Sequence, residues 1–292
     1  MQYLLSHRTS YTYASSVDSA HHIAHLRARP FPGQKVSSIS IVTQPLPALA
    51  VEHVDHFGNL IDIYRIDKPH QRFDIEVRAS IDVRFPEPPA AVDTPPWEEI
   101  REALNGDGFP ASVEASEFVY ESPLVPSDEL LKTYGAKSLT PGRPILEAAR
   151  ELTTRIKADF EYHPGATDIS TPLHDVFEGK AGVCQDFAHV MIAALRAHGL
   201  AAAYVSGYIR TINSPNDVEL RGADASHAWV AVWCGEDAGW VHLDPTNDLV
   251  AHEDHVAVAW GRDFSDVSPL RGVILGGGNH VYSVAVTLVP TG

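Results

Sequence analysis

GKAGVCQDFAHVMIAALRAHGL, residues 179–200, puts one of the chain's two cysteines on the first step of an apolar helix. Counting from Cys184, positions +3, +4, +7, +8 and +11 are Phe187, Ala188, Met191, Ile192 and Leu195. That spacing draws one apolar stripe along a helix that starts with the cysteine. Gln185, Asp186 and Arg196 fall off the stripe, and Gly199 supplies a stop. Asp186 reads as a structural hydrogen-bond acceptor at the first helical turn. The positive end of a helix favours a thiolate over a thiol. Its unpaired N–H groups can also hold an oxyanion. A buried structural cysteine is the competing reading, because cysteine is among the most buried residue types. A partner base decides between the two.

SHAWVAVWCGEDAGWVHLDPT, residues 226–246, offers that base. HAWVAVW alternates as a strand, with His227, Trp229, Ala231 and Trp233 on one face. GEDAG makes a hairpin turn. On the return strand Trp240, His242 and Asp244 share a face, and Pro245 ends it. Antiparallel pairing through this turn makes His227 and Asp244 neighbours. An imidazole oriented by a carboxylate is half of a nucleophilic triad, and a cysteine at a helix N-terminus completes it. Cys234 lies on the other strand face, roughly 23 Å from His227 at strand rise, and reads as packing.

The 292 residues carry 22 basic and 38 acidic side chains, a net charge of −16. That balance excludes nucleic acid and anionic membrane as partners, since both reward Lys and Arg. The N-terminus MQYLLSHRTSYTYASS has neither a basic region nor an unbroken apolar run, so no signal peptide is expected. No run of about 18 apolar residues predicts a membrane span. Two cysteines do not make a disulfide framework, and a cytoplasmic location is expected. Among the 16 histidines, HEDH (252–255) and HHIAH (21–25) lack the HExxH spacing of zinc proteases. They read as solvated or packing histidines, and no metal is expected. The chain contains no DxDxDG loop for calcium, and the proposed chemistry calls for no cofactor.

The chain divides by composition. Residues 1–85 read as a β-rich domain, with strand-like runs at 3–14, 36–43, 59–66 and 73–85 whose spacing suggests a sandwich or barrel. PEPPAAVDTPPW, residues 86–97, has five prolines in twelve positions and reads as a linker. Residues 98–292 then carry two helix candidates, WEEIREAL and PILEAARELTTRIKADF, before the cysteine helix. Strand patterns return after it, and GGGN (276–279) reads as a turn before the last strand. The fold class expected is α+β, with a cysteine-bearing helix packed on an antiparallel sheet.

Three blocks, GVCQDFAHVMIAALRAHGLAAAYVSGY, SHAWVAVW and GWVHLDPTN, resemble the bacterial transglutaminase-like family of the papain-like cysteine hydrolase and transferase superfamily. They follow that family's order of Cys, His and Asp over about residues 140–250. FEYHPGATD (160–168) also looks like a family segment. LRARPFPGQ and DHFGN resemble the β domain found ahead of this core. The resemblance implies Cys184 as nucleophile, His227 as base and Asp244 as orienting acid. It leaves Tyr162 and His163 as candidates for the second oxyanion donor, and Trp229, nearest His227, as the best candidate to line a substrate cleft. It also implies an enzyme acting on peptide or protein amide bonds through a thioester. A peptidase or amidase is the leading expectation, transglutamination the alternative, and a catalytically idle binding module on the same fold a further alternative.

Overall fold

The structure is a computed structural model that describes residues 1–106, 111–210 and 226–291. The chain opens with five strands: β1 (Gln2–Ala24), β2 (Gln34–Gln44), β3 (Leu49–Val54), β4 (Leu60–Ile66) and β5 (His70–Val83). Helices α1 (Trp97–Asn105), α2 (Val113–Ser116), α3 (Glu129–Ala136) and α4 (Ile145–Asp159) follow. Then come β6 (Glu161–Tyr162), α5 (Leu173–Gly179), β7 (Ala181–Gly182) and α6 (Cys184–Arg196). The second half contains β8 (Ala202–Ile209), β9 (His227–Trp233), β10 (Trp240–Asp244), β11 (Leu249–Val250) and β12 (His255–Gly261). Helix α7 (Phe264–Val267), β13 (Leu270–Gly276) and β14 (His280–Pro290) close it.

β1 is the spine of the first sheet. Its early part buries Tyr3, Leu5, His7 and Thr9 in alternation, the two-residue period of a half-buried strand. A strand of 23 residues is long enough to take four partners in tandem. Its first half pairs with β5 and β14, and its second half with β4 and β13. The result is one continuously hydrogen-bonded antiparallel sheet of seven strands, and β1, β4 and β5 enclose a core of its own around Val17, Ile66 and Phe73. The pairing also corrects the expected division at residue 98. β13 and β14 leave the second half of the chain and complete the N-terminal sheet. Between β5 and α1, residues 86–96 connect the two parts with a 3-10 turn at Ala91–Asp93.

The second sheet has the order β11-β10-β9-β8-β12, antiparallel throughout. Helix α6 packs on β8 and β9 with one side and against α3, α4 and α5 with the others. It is therefore buried almost all round, Asp186 and Arg196 included, and only Gln185 among its 13 residues escapes. The sequence pattern marks an amphipathic helix, whereas the fold uses a central one. The two buried charges are satisfied locally. Arg196 donates to the carbonyls of Ala202 and Arg262 beyond the helix end. Asp186 accepts from the Val183 N–H at 2.8 Å and from Thr167 Oγ1 at 2.6 Å, the acceptor role its position suggests. Gly182 makes room for it, because a Cβ there would sit 2.5 Å from the Asp186 carboxylate.

The two sheets are joined through side-chain amides. β12 is an edge strand, whose free N–H and C=O groups need partners when covered. Gln34 donates to the Ala257 carbonyl at 2.7 Å and accepts from the Ala257 N–H at 2.9 Å. Asn59 does the same at Trp260, at 2.8 and 2.9 Å. Both residues come from the PFPGQ and DHFGN segments. The DHFGN turn needs its glycine, since Gly58 has φ +77° and a side chain would press on the Arg29 guanidinium. One core runs on from Tyr3, Leu5 and Ile81 of the first sheet to α4, α6, β8 and β9.

Replacing Gln34 by Ala strands the Ala257 N–H of β12 and removes the donor to the Arg29 carbonyl, while the Ala257 carbonyl keeps the Arg29 N–H at 3.2 Å, so a loss of about 2 kcal/mol is expected. Urea denaturation of Gln34→Ala checks this. An unchanged midpoint would show that the edge needs no cap.

Candidate active site

Three elements converge on the site. Cys184 is the first residue of α6. The N–H of Phe187 already bonds the Val183 carbonyl, while those of the preceding turn face outward from the helix end. Parallel pairing of β6 with β7 lays Tyr162 beside Gly182, two residues before Cys184, and the His163 N–H bonds the Gly182 carbonyl at 2.9 Å. The β9–β10 hairpin brings the ends of its two strands together as its alternation predicts.

His227 Nε2 donates to Asp244 Oδ2 at 2.9 Å, with both side chains fully buried. Its other nitrogen, Nδ1, is buried and makes no formed hydrogen bond among the described residues. The neighbouring Cys184 sulfur interacts with the ring. Burial alone would lower the imidazole's affinity for its proton. The charge and hydrogen bond of Asp244 overcome this, the Cys184 sulfur adds to it, and His227 is pushed up to about 10.

Asp244 accepts five hydrogen bonds from the residues around it. Oδ1 accepts from the N–H groups of Thr246 at 2.9 Å and Asn247 at 3.2 Å. Oδ2 accepts from Asn247 Nδ2 at 2.8 Å, from His227, and from His255 Nε2 at 3.2 Å. Burial works against its charge, but His227 and His255 together hold it far below the usual carboxylate range. His255 stays neutral: burial lowers it more than Asp244 raises it. Its Nδ1 faces the His252 N–H at 3.4 Å, which leaves the proton on Nε2, the nitrogen that meets Asp244.

His255 is the residue that sequence reasoning missed. It starts β12, at the far edge of the sheet from β10, and reaches across beneath His227 and Trp229. Gly207 between them leaves the room, because a Cβ there would lie 2.5 Å from the Trp229 ring and closer still to the Val256 carbonyl. The signal was present in HEDH, whose pattern suggests metal or solvent. The ligand atoms of His227, Asp244 and His255 do lie within 4.8 Å of one another. The His227–Asp244 and His255–Asp244 spacings, 2.9 and 3.2 Å, are those of hydrogen bonds.

Family comparison matches residues 132–245 to the transglutaminase-like superfamily and residues 3–82 to the bacterial transglutaminase-like N-terminal region. The chain belongs to the transglutaminase-like superfamily. An uncharacterised protein of Mycobacterium tuberculosis is 38% identical over 99% of this chain and 93% of its own length. A stretch covering 32% of the chain is 36% identical to a protein-glutamine gamma-glutamyltransferase of Pseudomonas aeruginosa, and covers 15% of that enzyme. A solved Cytophaga hutchinsonii structure, described as a candidate cysteine protease, shares the fold. Its TM-score is 0.75 at 22% identity, covering all of this chain and 92% of that one.

Within this transglutaminase-like core, Trp229 is not a cleft residue. It is fully buried, and its Nε1–H donates to His242 Nδ1 at 3.0 Å. It lies on the same strand face as His227, packed between the His242 and His255 rings. Tyr162 is half-buried, with its ring against Phe187, and His163 is exposed. Tyr204 of β8 also adjoins the cysteine. Burial first, then negative charge at Cys184 and Asp186, pushes its hydroxyl well above the ordinary value, so it stays a hydrogen-bond donor. Cys234 has no exposed surface, and burial pushes its thiol up to about 12. His189 is buried and accepts from the Phe264 N–H at 3.2 Å, a packing role. No helix among the described residues is long and apolar enough to cross a membrane.

The site dictates a pH dependence of stability. His227, raised from 6.5 to about 10, contributes fully below pH 6.5 and loses its contribution as pH climbs toward 10. Asp244, depressed from 3.8, contributes above that value and loses its part as pH falls. The stability gap between wild type and Asp244→Asn is thus expected to be widest from about pH 4 to 6.5 and to narrow up to pH 10. Denaturant titrations across that range measure it. A gap that is flat with pH contradicts the ion pair.

Proposed function

We propose that this chain is a cysteine-dependent acyl-transfer enzyme acting on amide bonds. One observation carries the reading: Cys184 opens a buried helix beside an imidazole whose far nitrogen is fixed to a buried carboxylate. Cys184 as thiolate attacks the carbonyl carbon of an amide. The oxyanion that forms is positioned for the N–H groups at the start of α6. As the C–N bond breaks, His227 passes its Nδ1 proton to the departing amine, leaving a thioester and a neutral imidazole. The same nitrogen then takes a proton from water as it attacks the thioester, and Cys184 leaves as thiolate. Asp244 holds the ring in the orientation that makes both transfers possible and stabilises the imidazolium. His255 is a positioning residue that acts through Asp244.

Hydrolysis is the preferred outcome, giving a peptidase or amidase. Transfer to an amine needs a built acceptor site. The resemblance to a gamma-glutamyltransferase favours that second reading for the same thioester. The chain's charge of −16 suits a cationic amine. Two free cysteines support a reducing compartment such as the cytoplasm.

The test is mass spectrometry of the protein mixed with a library of amide-bearing peptides, with and without millimolar cadaverine. An acyl adduct on Cys184, its loss in Cys184→Ala and release of free acid are expected. Cadaverine amide as the main product, saturating in amine, would assign transferase activity instead. No adduct from any peptide would favour an idle binding module. Once a substrate is in hand, Asp244→Asn is expected to lower turnover at least about tenfold. His255→Ala should have a smaller effect of the same kind, shifting the pH profile, with His255→Gln closer to wild type because it keeps a donor. Unchanged kinetics in Asp244→Asn would remove the carboxylate from the mechanism.

A further inference from the structure

A cavity of about 600 Å³ lies where the N-terminal sheet, the 86–96 connection and the second sheet meet. It opens on the opposite face of that sheet from α6. Tyr204 faces the helix, with its ring 5.0 Å from His189. The cavity wall uses the next residue along β8, Ala203, and its cross-strand neighbours Ala231 and His242. The volume falls in the range of small-molecule sites.

The walls are aromatic and stiff. Phe31, Phe85, Trp240 and Trp260 contribute rings, and five of the lining residues are prolines, so little side-chain order is lost on binding. The His242 ring sits among them. Phe31 stacks on it at 5.9 Å, and Phe85 and Trp260 meet it edge-on at 5.2 and 6.2 Å.

His242 is what turns this cavity into a site. The ring is more than nine-tenths buried. Its Nδ1 accepts the Trp229 indole proton at 3.0 Å. Burial, with His255 nearby, pushes it down to about 3, so the imidazole is neutral and its single proton sits on Nε2. No acceptor among the described residues meets that N–H. The N–H is presented to the cavity, where an entering acceptor can meet it.

The charges around the cavity exclude an anion as the occupant. Arg29 is committed already: its guanidinium lies 3.6 Å over the Trp260 ring and bonds the Phe57 carbonyl and Asn59 Oδ1. Glu87 and Asp237 are the other charged residues of the lining, and both are negative. At the His242 ring the free group is an N–H donor, which calls for an acceptor on the ligand and not for a cation's own N–H groups.

We propose that this pocket binds an uncharged, flat aromatic molecule that presents one carbonyl-type acceptor to His242 Nε2–H. The rings hold the body and the imidazole fixes the orientation. The site is separate from the Cys184 chemistry and stands whether or not the acyl-transfer reading holds.

The probe for this is 6-propionyl-2-(dimethylamino)naphthalene, an uncharged aromatic ketone whose emission moves to the blue when it leaves water. Titrated into the full chain, it is expected to bind saturably at one per chain, with blue-shifted emission and quenching of tryptophan fluorescence. Ala238→Trp, which fills the cavity from the β9–β10 turn, should abolish binding. His242→Phe keeps the ring and removes the donor, and should weaken binding about tenfold. His242→Gln can accept from Trp229 and still donate, and should stay near wild type. Absence of saturable binding, or binding indifferent to Ala238→Trp, would overturn the site. Equal affinity in His242→Phe would overturn the ligand class. The Ala238→Trp arm keeps the proposal open to refutation even if His242→Phe does not fold.

Discussion

A carboxylate with no exposed surface organises this molecule. Burying an ionised Asp244 is costly unless every lone pair is met, and removing one member of such a pair costs about 3–5 kcal/mol. Five donors meet it, and they come from three places: the start of β9, the turn after β10 and the start of β12. The sheet must bring those ends together for the charge to be tolerated. Gly207, the tight turn at Thr246 and Asn247, and the crossing of β12 to the edge beside β8 all follow from that need. The imidazole of His227 is one of the five donors, which is how a structural demand fixes an imidazole next to a cysteine.

Much of this was legible in the chain, because the relevant patterns are local. The 3.6-residue spacing after Cys184 specifies a helix beginning at the sulfur. The two-residue alternation on either side of GEDAG specifies a hairpin that pairs His227 with Asp244. The Asp186 acceptor role follows from its place in the first turn. What was hidden depends on contacts between distant segments. His255 belongs to a short histidine cluster that carries no sign of Asp244, and only the order of strands brings them together. The polarity of Asp186 and Arg196 suggests a solvated face, but each is buried with its own partners. The closing strands pair with β1 across more than 250 residues of chain, a relation no window of sequence contains. Trp229 shares the strand face of His227, yet packing against His242 and His255 buries it completely.

The N-terminal sheet is more than an appended module. Gln34 and Asn59 pair with the backbone of β12, the same strand that delivers His255 to Asp244. Arg29, bonded to Asn59, lies on Trp260 of that strand. A disturbance of the first sheet is therefore transmitted to the strand that holds the fifth donor. The aromatic cavity sits on this junction, with His242 and Trp229 standing between it and the His227–Asp244 pair.

The central claim is that Asp244 keeps His227 charged at neutral pH while His255, bonded to the same oxygen, stays neutral. Nitrogen-15 NMR of histidine-labelled protein tests it directly. At pH 7 the account predicts that both His227 nitrogens carry protons and that His255 shows a single proton, on Nε2. Both assignments should collapse in Asp244→Asn. A neutral His227 at pH 7, or a His255 that titrates in its place, would contradict the account.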